Sequence, residues 1–187
     1  DLKFDTSKWK WFRYDDIFDI YKGYYNKKPI ENLSGEIPFI GATEYNNGIT
    51  SRHDFSEIDI TSKDGSERNH KIDDKIFDPN CITISNNGSV GYAFYQTKKF
   101  TCSHDVNPVR LKKIHGELNP FRSMFLATLI ELEKFRWAYG RKWRPIRMPS
   151  SLIKLPVNEE TEKPDWKFMD DFIKTTPYSY NLSQFDI

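Results

Sequence analysis

The chain has 187 residues, and its 28 Lys and Arg side chains nearly balance its 27 Asp and Glu side chains, giving a formal net charge of +1. This length suits one domain with a substantial core. The near-neutral charge excludes nucleic-acid binding through a uniformly basic surface, so such a site would need local clusters. The sequence has no apolar run long enough to cross a membrane and no signal-peptide pattern, which predicts a cytoplasmic protein without a membrane partner. Because it begins at Asp1 rather than methionine, we expect a piece of a longer chain.

The first 30 residues combine aromatic and basic side chains. Residues 9–14 are an aromatic segment, and residues 15–21 suit either a first helical turn or a short strand. The loop at 22–29 carries six candidate contact residues: Lys22, Tyr24, Tyr25, Asn26, Lys27 and Lys28. Basic groups interleaved with aromatic rings suit phosphate contact together with stacking on a base or sugar. A solvated basic loop is the alternative.

The next segment predicts a strand that ends in a turn. Residues 35–43 are a short apolar run, and Asn46-Asn47-Gly48 after it favours a tight turn. Residues 51–74 are rich in charged residues and serine and lack periodicity. We therefore predict an exposed connection there.

Residues 77–110 form the central part of the predicted domain. The alternation at 81–84, the turn Asn86-Asn87-Gly88 and the aromatic run at 92–95 predict a β-hairpin with a polar tip, followed by a further short strand. Amides and the Ser89 hydroxyl at such a tip can contact a partner because the strands hold them in place. A plain surface turn is the alternative.

A long helix is predicted over residues 120–139, with Asn119 as its cap and Pro120 in its first turn. A three-to-four spacing gives this helix an apolar stripe that would cover the sheet: Phe121, Phe125, Leu129, Leu132, Phe135 and, at its end, Arg136. Gly140 suits the helix end. A basic cluster around Trp143 follows: Arg141, Lys142, Arg144 and Arg147. Charge complementing the helix dipole would explain one or two of these residues, and Trp143 itself suits a buried position at the helix end.

The C-terminal part predicts a closing strand at 151–157, a charged linker and a short amphipathic helix capped by Asp165. Phe168 and Phe172 share a face of that helix that would dock on the domain or on a partner. We therefore divide the chain into a domain at 1–157 and a linker with a terminal helix at 158–187.

Signatures of catalysis and of metal binding are missing from the sequence. The motif nearest to that of an amino-methyltransferase, beginning at Asp78-Pro79, lacks the second proline and the aromatic residue. Ser103, His104 and Asp105 are adjacent, and neighbouring strand residues point to opposite faces, so a triad is not favoured. The histidines and cysteines lack metal-ligand spacing. The sequence favours buried free thiols for Cys81 and Cys102, although a disulfide could join them if their strands face each other. We predict no cofactor.

Four stretches in this order resemble a known family: 37–48, 82–91, 139–143 and 153–156. They are similar to the target recognition domain of type I restriction-modification specificity subunits, and also to the recognition part of fused restriction-methylation enzymes of the BcgI kind. Residues 164–169 and 177–179 resemble the C-terminal border of that domain in the fused class. The resemblance covers nearly the whole chain.

The resemblance implies a non-catalytic reader of double-stranded DNA that serves a methyltransferase (modification) subunit and a restriction subunit. Such subunits carry two recognition domains on long helices, each reading half of a split site. This chain has room for one, so a homodimer or a second recognition domain would supply the other half. We expect phosphate contacts from Lys22, Lys27, Lys28, Arg141, Lys142 and Arg144. The candidate base readers are Tyr24, Tyr25, Asn46, Asn47, Asn86, Asn87 and Ser89, with Asn26 in the same DNA-binding set.

The predicted fold class is α+β. We expect a small mixed, mostly antiparallel twisted sheet, one long covering helix and a short C-terminal helix. DNA reading further predicts that Arg141, Lys142 and Arg144 share a face with the Asn86–Asn87 tip. Two other functions stay open at this point: a protein-interaction module, and a small nuclease or hydrolase with an unfamiliar site.

Overall fold

The computed structural model describes residues 5–30, 34–64, 70–137 and 142–184. The strands of these ranges are β1 (Lys10–Arg13), β2 (Phe18–Ile20), β3 (Ile37–Ile40), β4 (Ile49–His53), β5 (Cys81–Ser85), β6 (Ala93–Gln96), β7 (Thr101–Cys102), β8 (Val106–Leu111) and β9 (Leu152–Leu155). The α-helices are α1 (Tyr14–Ile17), α2 (Phe55–Ile60), α3 (Pro120–Leu132) and α4 (Trp166–Lys174).

The described strands form three sheets rather than the single sheet that the sequence suggested. The largest has the order β2-β8-β5-β6 and is antiparallel throughout. A second has the order β4-β3-β7, in which β3 and β7 are parallel, and β1 pairs with β9 in the third. The mixed, mostly antiparallel α+β class is confirmed. Splitting the strands into three sheets gives the molecule several strand ends at which loops can meet.

The main core lies between the four-stranded sheet and the two longest helices. It joins Ile82, Ile84 and Val109 of the sheet with Leu126 of α3 and Met169 of α4. A smaller cluster around Ile40, Cys81 and Phe100 fills the space next to the β3–β7 pair. Because burial of apolar surface stabilises roughly in proportion to its area, the large cluster is expected to dominate folding.

The locally encoded elements begin where the sequence predicts. The hairpin β5–β6 pairs Ile82 with Tyr95 and Ile84 with Ala93. At the start of α3 the Asn119 side chain accepts a hydrogen bond from the Arg122 amide at 2.9 Å, and Asp165 caps α4 in the same way. Helix α4 docks on α3, where the Arg122 guanidinium donates to both carboxylate oxygens of Asp170. The boundary proposed between residues 157 and 158 remains a prediction.

Two predictions about regular structure are wrong in part. Residues 51–74 are not only an exposed connection, since they include most of β4 and all of α2.

Helix α3 is shorter than predicted: it ends at Leu132, and a 3-10 turn, Lys134–Trp137, follows it. In this turn Lys134 packs on Gly91, where a Cβ would lie 2.6 Å from the Lys134 Cβ. Leu132 and Phe135, placed in the apolar stripe, are 65% and 68% exposed. Tyr139 and Gly140 lie outside the described residues.

Lys75 is fully buried, which the charged sequence around it does not suggest. Its ammonium group donates to the carbonyl oxygens of Ile58, Asp59 and Thr61 at 2.7–3.0 Å. These carbonyls end α2, where an α-helix leaves its last carbonyl groups without internal partners. From its buried position, Lys75 therefore supplies the hydrogen-bond donors that the last carbonyl groups of α2 lack.

We predict that the two thiols do not react in the folded protein. Cys81 and Cys102 are free and fully buried. Burial raises the pKa of the Cys81 thiol to about 12 and also raises that of Cys102. Because the thiolate is the reactive form, iodoacetamide at pH 8 should label neither residue in native protein and both in urea. Rapid labelling of native protein, followed by mass spectrometry, would contradict this burial.

Candidate nucleic-acid interface

Parallel chain segments end together at one edge of the molecule. Ile40 of β3 lies beside Cys102 of β7 in parallel register, and Tyr25 forms a parallel bridge with Ser103. The end of β5 reaches the same edge, because the Asn86 amide donates to the Asp105 carbonyl at 2.8 Å. We call the surface formed by residues 22–28, 41–48, 86–92 and 103–105 the strand-end surface. It brings together three of the four regions to which the candidate DNA-binding residues belong.

The lysine loop at 22–28 is held against β7 and the start of β8 by its backbone. The Gly23 amide donates to the Val106 carbonyl at 3.0 Å, and the amides of Tyr24 and Tyr25 donate to the Cys102 carbonyl at 3.1 Å. Only a glycine fits at position 23, since a Cβ would lie 1.9 Å from the Ser103 carbonyl oxygen. Lys22 and Lys27 are therefore exposed side chains on a fixed backbone.

A buried amide pair fixes the hairpin turn to the neighbouring segment. The Asn86 side chain is only 6% exposed and donates to the Asn107 side chain at 2.7 Å. Asn107 in turn donates to the Tyr21 carbonyl at 2.7 Å. Next to this pair, the Asn87 amide donates to the Asp105 carboxylate at 2.9 Å. Because buried polar groups are costly unless paired, this network sets the relative positions of the 22–28, 86–92 and 103–105 segments.

The segment at 41–48 borders the other side of the hairpin. Ala42 faces Gly88, where a Cβ would lie 3.3 Å from the Ala42 Cβ. The Tyr92 hydroxyl donates to the Glu44 carboxylate at 2.6 Å, and the Asn47 side chain donates to the Tyr95 carbonyl at 3.2 Å. The predicted turn at 46–48 is present, with φ near +52° at both asparagines.

The basic segment at 142–147 is attached through Trp143. The Trp143 ring is buried and stacks on Trp137 with centroids 4.9 Å apart, and its Nε1 donates to the Ser151 hydroxyl at 2.8 Å. Lys142 and Arg144 are exposed and form no ion pair with residues that the structure describes. The 3-10 turn Lys134–Trp137 contacts Gly91 at one end and Trp143 at the other. The basic segment is thereby connected to the strand-end surface, and a shared face remains a prediction.

The predicted site residues differ in how accessible the structure leaves them. Exposed side chains belong to Lys22, Asn26, Lys27, Lys28, Asn46, Asn47, Lys142 and Arg144, while Asn87 and Ser89 are half-buried. Tyr24, Tyr25 and Asn86 are buried. The Tyr25 hydroxyl donates to the carbonyls of Ile58 and Thr61, and the Asn26 amide donates to Asp64. We therefore infer that Tyr24, Tyr25 and Asn86 pack and position the surrounding segments rather than contact DNA. Arg141 lies outside the described residues.

Other polar residues of this region were not among the sequence candidates. Tyr45 is exposed, Lys134 lies over the Tyr92 ring at 3.9 Å, and His104 and Asp105 occupy the 103–105 segment. Glu44 belongs to the same group. Glu44, Tyr45, His104 and Asp105 come together because β3 pairs with β7 in parallel, a pairing for which the sequence carries no recognisable signal.

The geometry at 103–105 is not that of a hydrolase triad. The Ser103 hydroxyl accepts a hydrogen bond from the Asp105 backbone amide at 3.2 Å, and the His104 Nδ1 faces the Tyr25 carbonyl at 3.1 Å. Within the described ranges, no cluster of three or more His, Cys, Asp or Glu side chains is suited to hold a metal ion. No helix in those ranges combines the length and apolarity needed to cross a membrane.

Comparison with known families decides which kind of protein carries this surface. Residues 6–181 match the family model described as the type I restriction modification DNA specificity domain. The chain belongs to this family. It is similar to the specificity subunit of the type II restriction enzyme BcgI from Heyndrickxia coagulans, with 33% identity over 165 residues. That alignment covers 88% of this chain and 42% of the BcgI subunit, and the resemblance noted in the sequence is confirmed.

Solved structures of specificity subunits have the same fold. The S subunit of a type I restriction-modification system from M. genitalium aligns with a TM-score of 0.55 and 18% identity, covering 85% of this chain and 37% of that one. The HsdS subunit from Thermoanaerobacter tengcongensis aligns with a TM-score of 0.57 and 12% identity, covering 98% and 39%. This chain therefore spans less than half the length of each of these relatives.

Proposed function

We propose that this chain is a target recognition domain that binds double-stranded DNA and reads one half of a bipartite site. The observation that carries the proposal is the strand-end surface of a specificity-family chain, where exposed lysines and side-chain amides from separate segments meet. Lysines on such a surface hold the domain on the phosphates without reading sequence, while amides and carboxylates contact base edges in the major groove.

The basic segment extends the proposed phosphate contact. Lys142 and Arg144 are exposed and attached to the fold through the buried Trp143 ring. A charge of only +1 over the whole chain means that affinity for DNA depends on where the cations lie rather than on their total number. We therefore expect the isolated chain to bind DNA weakly and with a strong dependence on salt.

The proposal gives the chain a non-catalytic role in a restriction-modification system. The M. genitalium relative is an S subunit of such a system. By analogy, this chain would direct a methyltransferase (modification) subunit and a restriction subunit to their target. A second recognition domain or a second copy of the chain would read the other half-site. A cytoplasmic location, where the DNA of a bacterial cell lies, belongs to the same proposal.

The test is selection of bound duplexes from a randomised pool at two salt concentrations, with the chain alone and with a cognate methyltransferase subunit. We expect enrichment of a half-site of a few base pairs. Lys22→Gln with Lys27→Gln should weaken binding to all sequences alike and reduce the salt slope by about two units, because each phosphate contact contributes about one. Lys142→Gln with Arg144→Gln should act in the same way.

Lys98→Gln with Lys163→Gln is the matched control. Both lysines are exposed and belong to neither the strand-end surface nor the basic segment, and their removal also lowers the net charge by two. The salt slope and enriched sequence of this variant should equal those of the wild type. A folded wild-type chain that enriches no sequence at either salt concentration, with or without the methyltransferase subunit, would refute the proposed function.

A further inference from the structure

Asp105 is a carboxylate in the middle of a surface proposed to meet a polyanion. The 103–105 segment lies between the lysine loop at 22–28 and the hairpin turn at 86–92. The Asp105 side chain is 29% exposed. A carboxylate at this position repels phosphate oxygens, so phosphate contact does not account for it. Among the groups at the major-groove edges, only the amino groups of cytosine (N4) and adenine (N6) donate hydrogen bonds.

One oxygen of this carboxylate is already hydrogen-bonded within the protein. Asp105 Oδ1 accepts from the Asn87 amide at 2.9 Å and lies 3.4 Å from His104 Nε2. Oδ2 receives no hydrogen bond from the residues that the structure describes. The backbone on both sides is fixed, since the Asp105 amide donates to the Ser103 hydroxyl and its carbonyl accepts from the Asn86 amide. The free oxygen therefore belongs to a side chain with little freedom to move.

We propose that Asp105 is a specificity-determining residue that accepts a hydrogen bond, through Oδ2, from the exocyclic amino group of cytosine or adenine in the half-site. This assignment rests on the proposed function and adds to it the chemical class of one base. Asn87 has the positioning role, because its amide holds Oδ1 and leaves Oδ2 available to the base.

The isosteric substitution Asp105→Asn gives a directional test. The Asn87 amide still needs an acceptor, so the new side-chain oxygen stays toward Asn87 and the new NH2 group takes the place of Oδ2. A donor then faces the base. At one position of the enriched half-site, preference should change from an amino base (C or A) to a keto base (T or G), with about tenfold loss on the wild-type sequence. The other positions should be unchanged.

Asp171→Asn is the matched control, on α4 and outside the strand-end surface. It also removes one negative charge, since the Lys167 ammonium group lowers the pKa of Asp171 and keeps it ionised. Because Asp171 does not belong to the proposed DNA-binding surface, its replacement should leave the enriched sequence unchanged. Both variants should keep or slightly raise the affinity for unrelated DNA, because each lowers repulsion from phosphates.

A second measurement changes the DNA and is made first on the wild-type chain. Duplexes carry 2-pyrimidinone in place of cytosine, or purine in place of adenine, at each such base of the half-site. We expect the wild type to lose about tenfold in affinity at one base and Asp105→Asn to lose none there. This result would support the assignment and show whether the base is cytosine or adenine. No sequence enrichment by the wild type overturns both the proposed function and this assignment. Enrichment that Asp105→Asn leaves unchanged, or unaltered wild-type affinity for every analogue duplex, overturns the assignment alone.

Discussion

Replacing Trp143 with alanine should lower the free energy of unfolding by about 3–5 kcal/mol, the usual cost of removing a large buried aromatic ring. The ring stacks on Trp137 and meets the edge of Tyr14 with centroids 5.0 Å apart. Because a domain of this size is stable by about 5–15 kcal/mol, the loss should be visible as a large decrease in the urea midpoint. The basic segment would also lose its attachment, so DNA binding should weaken beyond the effect of partial unfolding.

Trp143→Phe separates packing from hydrogen bonding. It keeps an aromatic ring against Trp137 and removes the Nε1 donor to Ser151. We expect a loss of about 1–2 kcal/mol, since one hydrogen bond and part of the ring are removed. If Trp143→Ala costs no more than Trp143→Phe, the stacked ring does not stabilise the fold as described.

Gly23→Ala should detach the lysine loop from the strand-end surface. The new Cβ would lie 1.9 Å from the Ser103 carbonyl oxygen and 2.6 Å from that of Val106. Backbone atoms cannot move aside as a flexible side chain can, so we expect a cost of about 3 kcal/mol, at the upper end for overpacking. Hydrogen exchange at the Tyr24, Tyr25 and His104 amides should accelerate, because these amides donate to the Cys102 and Tyr25 carbonyls, next to Ser103 and in the loop itself.

Gly116→Ala is the control for adding a methyl group to a glycine. Gly116 has φ of +80° and nothing within 4 Å of a built Cβ. Its substitution should cost about 1–3 kcal/mol of backbone strain and leave the exchange of the Tyr24 and Tyr25 amides unchanged. Equal protection of those amides in Gly23→Ala and wild type would contradict the close approach of the loop to Ser103.

Much of the secondary structure is predictable because its signals are local. The Asn119 cap at the start of α3 and the Asp165 cap at the start of α4 are each completed by an amide three residues away. The buried position of Trp143 is also indicated by its sequence context at the end of a helix. The end of α3 carries no such local signal, and Lys134, which follows it, packs against Gly91, far from it in the chain.

In the candidate site, too, the features set by neighbouring residues are predictable and those set by distant segments are not. The sequence by itself determined the α+β class, the family, the hairpin, the two capped helices and the residue types of the turns. Only the tertiary structure decided that Tyr25 and Asn86 are buried, that Lys75 supplies hydrogen bonds to the end of α2, and that Asn87 holds Asp105 on the strand-end surface. The physical reason is that turns and caps are satisfied by neighbouring residues, whereas burial and side-chain partners depend on which distant segments pack together, here through the parallel pairing of β3 with β7.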